Sequence, residues 1–197
     1  LFTTNESWAI PATADERRYA VFEVSDARRG DREYFNRLWH EIRNGGCEAF
    51  LAHLLAFEQP DHIDLRNPPR TRGLMEQKLS GLRGAERWWY EVLCEGILPC
   101  ADWAIDREDW DDSAQAVRRD GLRDAHREWM SQRRYQGDVA GPSEFGEGLK
   151  AMCPEMTSTR PTEDGERVRK YVIPRLDVCR NAFSDYMGGE DEISWPD

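Results

Sequence analysis

The sequence predicts an α+β fold in which helices predominate. In several segments of the 197-residue chain, apolar residues recur every three to four positions, which is the spacing of an amphipathic helix. Residues 19–24 and 167–173 are instead rich in β-branched and aromatic residues, which favour strands. Clusters of glycine and proline separate these segments and mark the ends of the predicted elements.

The first half of the chain is predicted to contain one strand and four helices. The strand covers residues 19–24. The helices cover residues 31–43, residues 47–57, a segment that Thr71 caps, and residues 85–95. Glycines after Asn44 separate the first two helices, which are therefore expected to form an antiparallel hairpin. Three prolines place a loop over residues 59–70.

Two adjacent tryptophans, Trp88 and Trp89, lie on the last of these helices. Core packing is the favoured interpretation, with one ring facing the core squarely, because adjacent helical positions point in different directions. A base-stacking platform for nucleic acid is the alternative.

The second half is predicted to contain three helices and a β-hairpin. A long helix over residues 114–135 has one apolar side and many arginines on the remainder. Ser143 caps a short helix that stops at Pro154. A hairpin follows over residues 160–173, with Glu163-Asp164-Gly165 at its tip, and a last helix runs from Pro174 to Gly188. Helix, helix, β-wing and helix is the order of a winged-helix-like module.

The net charge of −11 is concentrated in two places. Residues 101–116 carry a net charge of −5, and so do residues 184–197, whereas residues 117–183 carry +2. A charge run of this kind is typical of a solvated linker or tail, with a dedicated binding surface as the alternative. The candidate partner-binding acids are Asp106, Glu108, Asp109, Asp111, Asp112, Glu190, Asp191 and Glu192.

No phosphate-binding loop of an ATPase can be found in the sequence. The nearest spacing runs from Gly141 to Gly146, but Glu147 and Gly148 stand where the motif requires Lys and Ser or Thr. A carboxylate there would repel phosphate. The chain is therefore expected to have no catalytic residue and no cofactor of its own, and not to hydrolyse ATP.

Composition favours a reduced, cytoplasmic setting. The five cysteines form no C-x-x-C pair, and the longest apolar run is far shorter than the roughly 20 residues that span a bilayer. No secretory leader opens the chain, which begins with Leu1 and is expected to be either a cut fragment or a truncated gene product. The four histidines have no metal-ligand spacing, and His53 is expected on a helix surface or at the core edge.

The order of motifs at the start of the chain resembles the closing motifs of superfamily-3 helicases, the ring ATPases fused to primases in phage and plasmid replication proteins. Asn5 follows an apolar strand end, and the pair Arg17-Arg18 follows about a dozen residues later, before the β-rich run. The run over residues 69–79 and the Trp88-Trp89 pair resemble the region after the motor core of these proteins.

The second half resembles the C-terminal domain of the same proteins. The corresponding features are the helix that bears Trp129, the motif over residues 143–149, the run over residues 171–174, and Arg180 with Phe183. The resemblance thus covers nearly the whole chain. It implies a motor remnant with a helical subdomain (residues 1–96), an acidic linker (97–116), a winged-helix-like domain (117–188) and an acidic tail (189–197).

The resemblance also implies roles for particular residues. In the parent family, which uses ATP and Mg²⁺, an Asn at the strand end senses the γ-phosphate and an arginine acts on the nucleotide of the next subunit. Asn5, Arg17 and Arg18 would be the inherited nucleotide-sensing residues, with pairing of one arginine to Asp15 or Glu16 as the alternative. Separately, the basic residues of the predicted wing are nucleic-acid-binding candidates: Arg160, Arg167, Arg169 and Lys170. A solvated hairpin of mixed charge is the alternative, because Glu163, Asp164 and Glu166 lie beside them.

The sequence leaves two functions open. One is a non-catalytic C-terminal portion of a phage-type replicative primase-helicase that binds DNA or replication proteins. The other is a stand-alone, phage-derived acidic protein that binds and inhibits a basic host nucleic-acid-binding protein, for example a CRISPR-type defence protein. Neither function involves a membrane, and both allow a homo-oligomer.

Overall fold

The computed structural model describes residues 1, 3–6, 9–16, 18–60, 66, 69–100, 103–133, 141–189 and 193–196. The fold is α+β, with helices predominating and small antiparallel sheets, as the sequence predicted. The chain divides into two compact units. Unit 1 comprises Leu1–Glu16 and Leu74–Asp197, and unit 2 comprises Arg17–Gly73.

Unit 2 contains the first two predicted helices, α1 (Arg32–Glu41) and α2 (Cys47–Ala56). The side chain of Asp31 caps α1 by accepting a hydrogen bond from the Tyr34 N–H at 2.9 Å. Between the helices lies a kinked segment, Ile42–Gly46, in which Asn44 leaves the helical conformation and Gly45 adopts a φ of +97°. This conformation favours glycine, so the predicted helix break is confirmed.

Two other predictions for unit 2 are wrong. Residues 19–24 form no strand, because no second strand in the described part of the chain lies alongside them; the N–H of Val21 donates instead to the hydroxyl of Thr71 at 3.1 Å. None of the residues of α1 or α2 is buried. Two helices packed face to face as a hairpin would bury the apolar residues between them, and these helices do not.

The next two helices, α3 (Arg72–Gly81) and α4 (Gly84–Glu95), confirm the prediction. Helix α4 ends at Gly96, whose φ of +67° lies in the left-handed region. Trp88 and Trp89 are 2% and 1% exposed, so both rings lie in the core rather than only one. Rings buried to this extent are closed to bases, which excludes the stacking platform.

The segment predicted as an acidic linker is folded. It contains β1 (Leu98–Cys100), which pairs antiparallel with β2 (Trp103–Ile105), and helix α5 (Arg107–Asp112). The indole of Trp110 is fully buried and donates a hydrogen bond to the Pro174 carbonyl at 2.8 Å. The acidic side chains therefore belong to the compact body of unit 1, and the expectation of a solvated linker is corrected.

The predicted long helix is also shorter than expected. Residues Gln115–Arg118 form strand β3, and helix α6 covers Arg119–Gln132. The short helix that follows is α7 (Pro142–Met152), and it begins one residue before Ser143. Its cap is Gly141, whose N–H donates to the Glu144 carboxylate at 3.3 Å, so Ser143 does not cap it.

The rest of unit 1 follows the predicted order of hairpin and helix. Strands β4 (Thr157–Thr159) and β7 (Lys170–Ile173) join β3 in an antiparallel sheet with the order β3-β7-β4. A small hairpin, β5 (Thr162–Glu163) and β6 (Glu166–Arg167), turns at Asp164 and Gly165, which both have positive φ. The predicted tip is thus confirmed, and so is the last helix, α8 (Leu176–Tyr186).

One aromatic-rich core joins the elements of unit 1. Phe145, Phe183 and Ile173 are fully buried in it, with Trp88, Trp89 and Trp110. The C-terminal residues also belong to it: Ile193 is buried, and the ring of Trp195 packs against Phe183. The described part of the predicted acidic tail is therefore anchored rather than solvated. Among the described residues, no helix is long and apolar enough to cross a membrane.

Candidate nucleic-acid interface

An open groove on unit 1 brings together basic side chains from distant parts of the chain. Its cavity volume is about 890 Å³, and its walls come from α6, α7, β4 and β7. Four basic and two acidic side chains line it: Arg119, Arg123, Lys150, Arg169, Asp120 and Glu147. The groove therefore has a positive balance on a chain whose net charge is −11.

Arg119, at the start of α6, is the most constrained of these cations. Its guanidinium lies 4.6 Å from the centre of the Tyr171 ring and donates a hydrogen bond to the Ser158 hydroxyl at 2.6 Å. Its backbone N–H donates to the Arg169 carbonyl at 3.1 Å. These contacts fix the guanidinium against β4 and β7, which lowers the entropic cost of holding a ligand there.

A close approach between α7 and β7 forms the floor of the groove. A Cβ at Gly146 would lie 2.5 Å from the Tyr171 hydroxyl, a separation that real Cβ atoms essentially never show. Only glycine lets the two elements approach in this way. The glycine of the Phe145-Gly146 pair and the tyrosine that begins the run over residues 171–174 are therefore packing partners, although they lie in separate motifs of the sequence.

Two hydrogen-bond donors in the groove lack acceptors. The Nε atoms of Arg119 and Arg123 are buried, and neither has a hydrogen-bond partner. A buried donor without an acceptor is costly, by about 1–3 kcal/mol in typical cases.

One acidic side chain of the groove and its lysine are partly occupied elsewhere. Asp120 pairs with Arg118 at 3.1 Å, and this hydrogen-bonded guanidinium lowers the pKa of the Asp120 carboxyl. The Lys150 ammonium donates to the carbonyls of Pro154 and Met156, beyond the end of α7. The three arginines of the groove are therefore the cations best placed to meet a ligand.

The structure separates the four predicted wing residues. Arg169 lines the groove, as a nucleic-acid-binding residue should. Lys170 instead forms an ion pair with Glu163 across the wing. Arg167 lies opposite Thr162 in the β5–β6 hairpin and is exposed, as is Arg160. One of the four predicted residues therefore lines the groove. Arg119 and Arg123 also line it, although the sequence placed them on the polar side of a helix.

The structure describes two of the three candidate nucleotide-sensing residues. Asn5 is exposed in a bend of unit 1, and Arg18 is exposed in unit 2. Arg17 lies outside the described residues. Nearby, the Asp15 carboxylate accepts a hydrogen bond from the Thr13 hydroxyl at 2.6 Å, and this bond lowers its pKa.

The acidic candidates of the predicted linker lie on and before α5. Asp106 caps this helix, since its carboxylate accepts a hydrogen bond from the Asp109 N–H at 3.1 Å. The other four acids, Glu108, Asp109, Asp111 and Asp112, are exposed on a helix that the buried Trp110 holds in place. The tail candidates Glu190, Asp191 and Glu192 lie outside the described residues.

The remaining reactive side chains form no metal centre within the described ranges, where no group of three His, Cys, Asp or Glu residues could hold an ion. The thiols of Cys153 and Cys179 lie 3.8 Å apart in the core. His53 is exposed on α2, in agreement with its prediction. His126 is buried among aromatic rings, and burial lowers its pKa.

Comparison of the chain with protein-family models, curated protein sequences and solved structures finds no match.

Proposed function

We propose that the groove of unit 1 binds the phosphate backbone of DNA and that this chain is a non-catalytic, DNA-binding portion of a phage-type replicative primase-helicase. The observation that carries the DNA-binding part is the convergence of Arg119, Arg123 and Arg169 on one groove. The helicase part rests on the resemblance of the motifs around Asn5 and the Arg17-Arg18 pair to superfamily-3 helicases.

The arrangement of elements around the groove supports a winged-helix-like module. Helices α6 and α7 follow one another, strands β4 and β7 flank the β5–β6 hairpin, and α8 closes the segment. In helix-turn-helix proteins the second helix enters the major groove with its N-terminal residues foremost. Helix α7 is the second helix of this segment in chain order, and its first residues, Pro142 and Ser143, line the basic groove.

The groove is suited to contact the DNA backbone. Guanidinium groups bind phosphate through planar pairs of N–H donors. Each phosphate that a cation neutralises releases a counterion, so binding weakens as salt rises. The acidic remainder of the chain would repel DNA and orient the basic groove towards it.

A mobility-shift assay with a DNA duplex at low salt tests the proposal. The variant Arg123→Gln with Arg169→Gln removes two groove cations without touching the packed Arg119. We expect it to weaken markedly the shift that the wild-type chain gives. The matched control is Arg127→Gln, which lies on the same helix α6, is exposed, and does not line the groove.

Two results would contradict DNA binding by the groove. One is the absence of any shift for the wild-type chain at low salt. The other is an equal loss of binding in the Arg127→Gln control, which would mean that general charge rather than the groove holds the DNA.

The proposed role includes no ATP turnover by this chain. The segment with the nearest phosphate-loop spacing forms the start of α7, where Gly146 is packed against Tyr171 and Glu147 lines the basic groove. A phosphate-release assay with ATP and Mg²⁺ should therefore give no signal above buffer. Release that depends on the protein would contradict the non-catalytic assignment.

A second candidate function is inhibition of a basic host nucleic-acid-binding protein, and the geometry of α5 favours it over a generic acidic linker. The buried tryptophan fixes the helix backbone that carries Glu108, Asp111 and Asp112, of which Asp111 pairs with Arg107 at 3.4 Å. Fixed carboxylates can compete with phosphates for a basic channel more effectively than flexible ones, because less entropy is lost on binding.

The inhibitor function is tested by capture from a host lysate. The wild-type chain should retain a basic nucleic-acid-binding protein, and Glu108→Gln with Asp112→Asn should weaken this capture while leaving the helix cap at Asp106 intact. Glu128→Gln, an exposed charge change on α6, serves as the control. If the α5 variant captures the same protein equally well, the acidic helix is not the binding surface.

A further inference from the structure

Unit 2 exposes an unusual amount of apolar side-chain surface. On α1, Phe35, Leu38 and Trp39 are between 39% and 55% exposed. On α2 the exposed fractions run from 52% at Leu54 to 81% at Leu55. Helix α2 carries one charged residue, Glu48, among ten, and a helix that is apolar nearly all round is normally buried.

We propose that α1 and α2 form a self-association surface that a second copy of this chain covers. The first argument is the area. The two helices expose three aromatic residues and four leucines. With about 200 Å² for each aromatic ring and about 90 Å² for each leucine, and with about half of this area exposed, the exposed apolar surface is roughly 500 Å². One face of a standard interface, about 800 Å² and about 57% apolar, needs roughly 450 Å².

Charge balance is the second argument and identifies the occupant. Within residues 32–56 there are three arginines and three glutamates, so this segment is neutral while the chain as a whole carries −11. A two-fold interface places the same patch on both sides and must complement itself. A neutral patch with both signs of charge meets that requirement, whereas a strongly basic or acidic partner would find no net charge to match.

Sedimentation velocity of the full chain tests the proposal. Between about 1 and about 100 µM, a range centred on affinities common for reversible dimers, the wild-type chain should sediment as an assembly of two or more copies. The association should strengthen as salt rises, because salt screens the repulsion between two acidic chains and leaves apolar contacts intact. DNA binding by the groove of unit 1 has the opposite salt dependence, so the two proposals fail separately.

The variant Leu51→Glu with Leu55→Glu should dissociate this assembly. A change at the centre of an interface typically costs about thirtyfold in affinity, so the two changes together are expected to cost on the order of a thousandfold. Glu and Leu have similar helix propensities, and both sites are exposed in the single chain, so the fold should survive. Leu38→Glu on α1 is a second, independent variant.

The matched control is Ile97→Glu, a substitution at an exposed apolar residue of unit 1. It should leave the assembly unchanged, and circular dichroism should show the wild-type helix content in every variant. A wild-type chain that remains monomeric throughout the concentration range overturns the proposal. An assembly that persists in both the α2 double variant and Leu38→Glu overturns it equally.

Discussion

His126 gives this protein a stability that should fall as the pH drops below about 6.5. The imidazole is 1% exposed, and its ring lies 5.0 Å from Phe145 and 5.3 Å from Trp88, measured between ring centres. Neither ring nitrogen has a hydrogen-bond partner. Burial among aromatic rings disfavours the charged form and lowers the pKa of His126 from its ordinary value of 6.5.

The sign of the effect follows from this lowered pKa. Below pH 6.5 the unfolded chain takes up a proton on His126 that the folded chain resists, so protonation favours the unfolded state. One such proton changes the free energy of unfolding by at most about 1.36 kcal/mol per pH unit. Between pH 6.5 and pH 5.5 the expected loss from this residue is therefore up to about 1 kcal/mol.

Urea unfolding followed by tryptophan fluorescence measures this loss, since Trp88 and Trp129 both pack against His126. His126→Leu should flatten the dependence of stability on pH between 5.5 and 7.5, a range above the ordinary titration of carboxylates. His53→Leu, at an exposed histidine on α2, should keep the wild-type dependence. An unchanged slope in His126→Leu, or a wild-type stability that rises as the pH falls, would refute the reasoning.

Three further predictions concern packing and capping in unit 1. Gly146→Ala should destabilise the fold by about 1–3 kcal/mol despite the better helix propensity of alanine, because the new Cβ meets the Tyr171 hydroxyl. Thermal unfolding measures this loss. Adding Tyr171→Phe to the Gly146→Ala chain removes the hydroxyl and should restore part of the lost stability. Trp195→Ala should lower the free energy of unfolding, measured in urea, by about 3 kcal/mol, since the ring packs on Tyr90 and Phe183. A change below about 0.5 kcal/mol would mean that the C-terminal residues are not anchored. In the same urea assay, Asp106→Ala should cost about 1 kcal/mol through loss of the α5 cap, whereas Asp106→Asn should retain most of the stability.

Local sequence pattern predicted most helices and the turn of the small hairpin, because each depends on residues close together in the chain. Gly45, Gly96 and Gly165 all adopt the positive φ that their positions in breaks, helix ends and turns indicated. Strand β3 could not be found in this way. Val117 fits a helical apolar pattern equally well, and only pairing with β7, more than fifty residues later, makes Gln115–Arg118 a strand.

The acidic segments were misjudged for a related reason. A high density of Asp and Glu is typical of solvated linkers and tails, but single large apolar residues can anchor such segments. Trp110 anchors α5, and Ile193 and Trp195 anchor the end of the chain. Their importance lies in what they pack against, and composition averaged over a segment carries no such information.

The candidate groove was predictable only in part. Arg169 was identifiable because it lies in a basic run on a predicted hairpin. Arg119 and Arg123 reach the same groove because β3 pairs with β7, which places the start of α6 beside Arg169. Arg119 and Arg169 are close in space but far apart in the chain. The sequence therefore placed the three arginines on two separate predicted elements, the long helix and the hairpin.

The most direct test of DNA binding by the groove is the salt dependence of the affinity for a DNA duplex, measured by fluorescence anisotropy. Three groove arginines that meet phosphates predict a slope of log K against log salt of about −2.7, or about −0.9 for each contact. Arg123→Gln with Arg169→Gln should make the slope about 1.8 less steep, and Arg127→Gln should leave it unchanged. A slope that is the same in all three proteins would contradict binding through this groove.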